Sequence, residues 1–220
     1  FIFGAIIGSF LNVCIYRMPR GISIVAPRSL CPGCRRKIVW YENIPVFSFI
    51  FLRGKCSGCR SRISIRYPAV ELLTSAALAY TYHVFGWTFS SLVWGCFFCY
   101  MIVIAFIDLE HQLIFDRLTY SLAIIGVAAS FFNRNLGVVQ SLAGLVAGGG
   151  LLFIVAFVSE ILYKQEAMGG GDVKLMAASG AFLGPWNVVL GIAAASFIGA
   201  FVGVLLIAFG LKKRKDMVPF

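Results

Sequence analysis

Apolar residues run almost unbroken through seven stretches of this chain, at about 1–16, 67–85, 89–107, 117–132, 138–160, 173–184 and 187–211. Runs of such length with at most one charged residue each are far more apolar than one buried face of a soluble helix requires, and they predict helices that cross a bilayer. The breaks "FGWT", "NRN" and "GPWN" hold turn formers and, apart from Arg134, no charge. The first run is short: 16 residues make about 24 Å of helix against a hydrocarbon core of about 30 Å. It opens at Phe1 without a charged n-region, so we expect further residues to precede it in the full-length protein. The twelve residues of 173–184 make only about 18 Å, which predicts a partial span or a helix in a locally thin region.

Charge placement orients these helices. The chain of 220 residues carries 19 Lys and Arg against 9 Asp and Glu, a formal net charge of +10. Eleven basic residues lie between Arg17 and Arg66 and four in the tail "KKRK" at 212–215, while Lys164 and Lys174 lie in the connection 161–174 and Arg117 directly follows the connection 108–116. Alternating the faces puts every basic residue except Arg134 on one side, as the positive-inside rule requires, with the N-terminus outside and the C-terminus in the cytoplasm. A nucleic-acid partner is not expected, because no aromatic-studded basic face accompanies the charge. Mean hydropathy of +0.90 and 60% hydrophobic residues agree with an all-α polytopic membrane protein. Four regions result: a first helix at 1–16, a cytoplasmic loop at 17–66, a membrane bundle at 67–211 and a basic tail at 212–220. No repeat is visible.

The 17–66 loop contains "CPGC" (Cys31, Cys34) and, after 21 intervening residues, "CSGC" (Cys56, Cys59). Two C-x-x-C pairs place four thiolates for one tetrahedral Zn²⁺. Disulfides are disfavoured where thiols stay reduced. Pro32, Gly33 and Gly58 suit the tight turns of the knuckles. A polar loop of about 50 residues has little core, so the metal would supply much of its folding free energy. Cys96 and Cys99, midway along an apolar run, and Cys14 read as small buried apolar side chains, and His83 as an interfacial residue.

Two aspartates stand where acids are costly. Asp108 ends the uncharged run of "YMIVIAFID", and Asp172 follows Gly169, Gly170 and Gly171. The chain crosses the membrane twice between them, so both return to the cytoplasmic side. Two carboxylates in a low-dielectric cleft share a proton, giving one general base for water and one general acid for the scissile group. The glycines would let a substrate strand approach. A plainer assignment fits the same residues: Asp172 as an N-cap and Asp108 as an interfacial acid. Glu110 and Asp116 could also stand in for Asp108, although Asp116 reads better as the cap of the helix beginning near 117. Lys174 would tune the acids or mark the membrane boundary.

The stretches "GSFLNVCIYRMP" (8–19), "CPGCRRKIVWYENIPVFS" (31–48), "LRGKCSGCRSRISIRYPAVELLT" (52–74), "IDLEHQLIFDRLT" (107–119) and "MGGGDVKL" (168–175) resemble the bacterial type IV prepilin peptidases, in the family's order. This resemblance implies a membrane aspartic protease of the GxGD type, with Asp108 and Asp172 catalytic and Gly169 and Gly171 the motif glycines. It also implies a cytoplasmic domain built on Cys31, Cys34, Cys56 and Cys59. Members cut a basic leader from prepilins and pseudopilins after glycine and N-methylate the new terminus with S-adenosylmethionine, at the bacterial inner membrane. Phe115 stands where the family usually has proline, which implies a looser turn before Asp116. No glycine-rich nucleotide motif marks the methyl-donor site, and elimination points to the cytoplasmic loop near the first helix. The alternative from a different class is a small ion or solute carrier with a zinc-ribbon docking loop.

Overall fold

A computed structural model describes residues 1–26, 29–132, 136–163 and 169–208. The "NRN" break and the "KKRK" tail lie outside the described residues. All regular structure among the described residues is helical, and the chain forms two compact units, Phe1–His111 and Gln112–Phe220. Among the described residues, four stretches are long and apolar enough to cross a membrane: Ile2–Arg20, Phe89–His111, Val138–Leu162 and Gly170–Leu205.

The N-terminal unit contains α1 (Ile2–Arg17), the five-residue α2 (Phe47–Phe51), α3 (Arg66–Phe85) and α4 (Phe89–His111). Glycine sets how closely α1 and α3 pack. A Cβ at Gly4 would stand 2.6 Å from the Ser75 Cα, and one at Gly8 2.7 Å from the Glu71 Cα. One turn further, the Asn12 amide donates to the Tyr67 carbonyl at 3.0 Å. As the α1 number rises by four the α3 number falls by four, so the helices are antiparallel. Gly86, at φ 63°, closes α3 by donating to the Tyr82 carbonyl. Only glycine adopts that conformation cheaply. Fully buried Ile15, Val70 and Ile107 come from α1, α3 and α4, one from each helix.

The C-terminal unit contains α5 (Asp116–Ser130), α6 (Val138–Tyr163) and α7 (Gly170–Ala208). Helix α7 is broken at Gly184, whose φ of 77° precedes Pro185. Contacts with α6 show that the chain turns back there. In the first arm, Gly180 meets Gly144 and Met176 meets Gly148, an antiparallel run. In the second arm, Val188 meets Gly148, and Ile192 clusters with Leu152, a parallel run. The expected segments 173–184 and 187–211 are therefore the two arms of α7, with the reversal at the predicted break. Pro185 has no N–H for the Ala181 carbonyl, which leaves that acceptor in need of a partner. The Ser141 hydroxyl of α6 supplies the missing donor at 2.7 Å. Asn187 likewise donates to the Leu183 carbonyl at 2.9 Å.

Three boundaries differ from expectation. Helix α4 continues to His111, so Asp108 lies inside its last turn rather than at its end. Helix α7 begins at Gly170, which puts Asp172 within its first turn. Asp116 is the first helical residue of α5 and not its cap; the capping position is Phe115, with no side-chain cap bond.

Candidate functional site

The two cysteine pairs form two copies of one knuckle. In the first, the Cys31 amide donates to the Arg36 carbonyl and the Arg35 amide to the Cys31 carbonyl, both at 2.9 Å. In the second, Cys56 to Ser61 and Arg60 to Cys56 repeat these bonds at the same lengths. A single antiparallel bridge flanks each, Leu30 with Lys37 and Lys55 with Arg62. The chain thus holds a short repeat where none was expected, because the two copies share only the short pattern C-x-G-C-R-x-[KR]-I, at 31–38 and 56–63. The left-handed residue in each is the arginine after the second cysteine, Arg35 at φ 56° and Arg60 at φ 58°. Gly33 and Gly58 are instead closely faced by the opposite knuckle. A Cβ at Gly33 would lie 3.4 Å from the Cys59 sulfur, and one at Gly58 3.2 Å from the Arg36 Nε, each on the opposite knuckle.

All four sulfurs lie within 4.8 Å of one another, and Cys31 and Cys59 are 3.8 Å apart. Zinc–sulfur bonds of about 2.3 Å in a tetrahedron put sulfurs about 3.8 Å apart, so the cluster has the dimensions of a metal site. The Cys31 thiol is drawn down to about 6, chiefly by hydrogen bonding from the Cys34 amide. Cys34 is held up at about 11: the Arg36 amide favours its thiolate, but desolvation and the neighbouring Cys59 and Cys31 sulfurs oppose it. Adjacent thiolates repel, and a divalent cation removes that resistance. Arg36 ties the knuckles together, bonding Glu42 at 2.5 Å and the Ser57 hydroxyl, while Ser57 donates to Glu42 at 2.5 Å. That bonding, led by Arg36, holds the Glu42 carboxyl below its usual range.

Asp108 belongs to the N-terminal unit and Asp172 to the C-terminal unit. Asp108 is partly buried in the last turn of α4. Glu110, one substitute considered for it, is held by the Arg66 guanidinium, whose Nη1 lies 2.7 and 2.5 Å from the two carboxylate oxygens. Asp116, the other, accepts from Lys174 at 2.7 Å, and that ammonium also lies 5.6 Å from the Tyr120 ring centre. Lys174 thus joins the start of α7 to the start of α5.

Asp172 stands in the first turn of α7, and its amide donates to the Gly169 carbonyl at 3.1 Å. The helix dipole favours a carboxylate at that end. The three glycines before it differ in their surroundings. A Cβ at Gly170 would meet nothing within 4 Å, and one at Gly169 only the Asp172 carboxylate at 3.5 Å. A Cβ at Gly171 would lie 2.8 Å from the Ile114 Cβ. Close packing against Ile114 is therefore what requires glycine at 171. Phe115 has φ −77°. That value is within proline's range, so the turn before Asp116 keeps the backbone that a proline would impose.

Sequence reasoning missed Glu71, which is buried in α3 and accepts from the Val46 amide at 2.7 Å. An acid four residues after the apolar run begins was the available signal. It also missed the Arg36–Glu42–Ser57 link and the Gly171–Ile114 contact.

Comparison with known proteins accounts for both units. Residues 2–85 match the Bacterial Peptidase A24 N-terminal domain, and residues 95–204 match the Type IV leader peptidase family. The chain is 39% identical to a Myxococcus xanthus prepilin leader peptidase/N-methyltransferase, covering 94% of this chain and 62% of that protein. It is 34% identical to the Dichelobacter nodosus protein of that name, covering 100% of this chain and 85% of the relative. The corresponding Aeromonas hydrophila protein is 35% identical over 100% of this chain and 84% of its own length. No solved structure matches the chain. Two matched domains in sequence order, and relatives aligned along most of their length, show that the chain belongs to the type IV leader peptidase family.

Proposed function

We propose that this chain is a membrane aspartic peptidase in which Asp108 and Asp172 act as one proton-sharing pair. One carboxylate takes a proton from water as it attacks the scissile carbonyl, and the other protonates the departing amine. The observation that carries the assignment is the fate of the competing acids: Arg66 holds Glu110 and Lys174 holds Asp116, which leaves Asp108 as the first acid of the pair. The relatives' name supplies prepilins as the substrate class. The motif resemblance adds pseudopilins, and cleavage after glycine on the cytoplasmic face of the bacterial inner membrane. Cys31, Cys34, Cys56 and Cys59 would hold Zn²⁺ as a structural ion, remote in sequence from the chemistry.

The same name supplies a second reaction, N-methylation of the new terminus, for which S-adenosylmethionine is the proposed donor. The cytoplasmic loop remains our proposed location. It contains a cavity of about 260 Å³, lined by Tyr41, Glu42, Phe47 and Ser48 among others. That volume falls below the usual range for ligands of this size. We therefore assign no residue to the donor.

Purified protein in detergent, given a short leader–Gly–Phe substrate, tests the dyad. Asp108→Asn and Asp172→Asn should abolish cleavage while the protein stays folded, and Asp116→Asn should retain most of it. Normal cutting by both of the first two variants would remove the aspartic mechanism and return attention to a carrier.

A further inference from the structure

The loop bearing the cysteines carries one element at an unexpected depth. Helix α2 begins at Phe47, and the amide of Val46 just before it is held at 2.7 Å by Glu71 of α3. The antiparallel packing of α1 on α3 provides a ruler. Gly8 is level with Glu71, and Ser9 is the next residue of α1. Arg17 is the first charged residue of α1. Eight residues separate it from Ser9, or about 12 Å along the helix axis. The N-terminus of α2 is therefore fixed on the membrane side of the basic boundary that ends α1.

What α2 shows at that depth is apolar. Phe47, Ile50 and Phe51 fall on one face at helical spacing. All three are exposed, Phe51 by 82%. Ser48 points inward, its hydroxyl donating to the Tyr41 carbonyl at 2.8 Å. That bond links α2 to an exposed aromatic pair, Trp40 and Tyr41, whose rings meet edge to face 5.8 Å apart. Exposed Lys55 and, before it, Arg53 follow closely. In water such an aromatic face would be a liability, and at a lipid interface it gains free energy in proportion to its area. Apolar and aromatic side chains flanked by cations are the composition of an interfacial anchor, buried about 5–10 Å at the boundary of headgroups and acyl chains.

We propose that α2, with Trp40 and Tyr41, is a membrane-interface anchor seated in the leaflet that the four-cysteine loop faces. Phe47, Ile50 and Phe51 lie against acyl chains, and Arg53 and Lys55 meet the headgroups of anionic lipid. The knuckles are thereby held at the bilayer surface instead of swinging on the ends of α1 and α3. This inference rests on the membrane fold and is independent of the proposed peptidase chemistry.

The wild-type protein in nanodiscs of phosphatidylethanolamine and phosphatidylglycerol, doped with a lipid carrying a diazirine on its acyl chain, provides the test. After illumination, mass spectrometry should find adducts on the peptide spanning 44–53 at a level within about three-fold of the exposed face of α4. Labelled α4 beside an unlabelled 44–53 peptide overturns the anchor. Exchanging phosphatidylglycerol for phosphatidylcholine should reduce labelling of 44–53 at least two-fold, and no change overturns the headgroup contact. Loss of those adducts on adding a prepilin peptide would assign the face to substrate and overturn the lipid assignment.

Discussion

Adding one methyl group at Gly171 tests how the glycines serve Asp172. An alanine there would bring its Cβ to 2.8 Å from the Ile114 Cβ. Carbon atoms in contact prefer about 3.5–4.0 Å. The Ile114 Cβ is a branch point fixed to the backbone and unable to rotate away. Relief requires about 1 Å of movement in the Ile114 backbone or the first turn of α7, and overpacking of this kind costs about 1–3 kcal/mol. Alanine returns less than about 1 kcal/mol through helix propensity. Because Asp172 is the next residue, a shift of this size should lower cleavage of a leader–Gly–Phe substrate about five- to hundred-fold. The decisive comparison is a double-mutant cycle with Ile114→Gly, which removes the opposing Cβ. With a steric cause, the double variant should behave much like Ile114→Gly alone, with a coupling of about 1–3 kcal/mol in thermal stability and in rate. Effects that add to within about 0.5 kcal/mol would refute the packing argument and leave substrate access as the reason for the glycine. Gly170→Ala, whose methyl would meet nothing within 4 Å, serves as the matched control and should show only the helix-propensity gain of less than about 1 kcal/mol.

Further outcomes follow from the same geometry. Gly180→Ala should prevent accumulation of folded protein, since its Cβ would fall 2.0 Å from the Gly144 carbonyl oxygen, while Gly191→Ala, with nothing within 4 Å, should express normally. Ser141→Ala orphans the Ala181 carbonyl beside Pro185. It should cost about 1–3 kcal/mol in thermal unfolding, and Ser141→Thr should recover most of that loss. Elemental analysis should find a single zinc ion per chain, lost in Cys34→Ser. Chelation should expose the loop to protease without eliminating cleavage by the intact remainder, and complete loss of chemistry alongside a protected loop would contradict a structural role for the ion.

Much of this architecture was legible along the chain. Long apolar runs mark helices whatever their packing partners, so α1, α3, α4, α5 and α6 fall within a few residues of the expected segments, although α3 and α5 are not among the four stretches long and apolar enough to cross a membrane. The reversal at Gly184–Pro185 was visible as a break, because proline withholds a donor wherever it stands. Cysteine spacing identified the four-cysteine cluster, since two thiols on one short turn are a local property. Asp108 and Asp172 stood out because charge is costly beside apolar runs.

Tertiary structure decided what depends on residues far apart in sequence. That Gly171 is glycine because of Ile114, 57 residues earlier, leaves no pattern in either stretch. Gly33 and Gly58 read as turn formers, yet each closely faces the opposite knuckle, while arginines take the left-handed positions. The burial of Glu71, and with it the depth of α2, depends on which helix α3 packs against. Periodicity reports the face a helix must bury, and only the assembled helices determine which side chains meet across it.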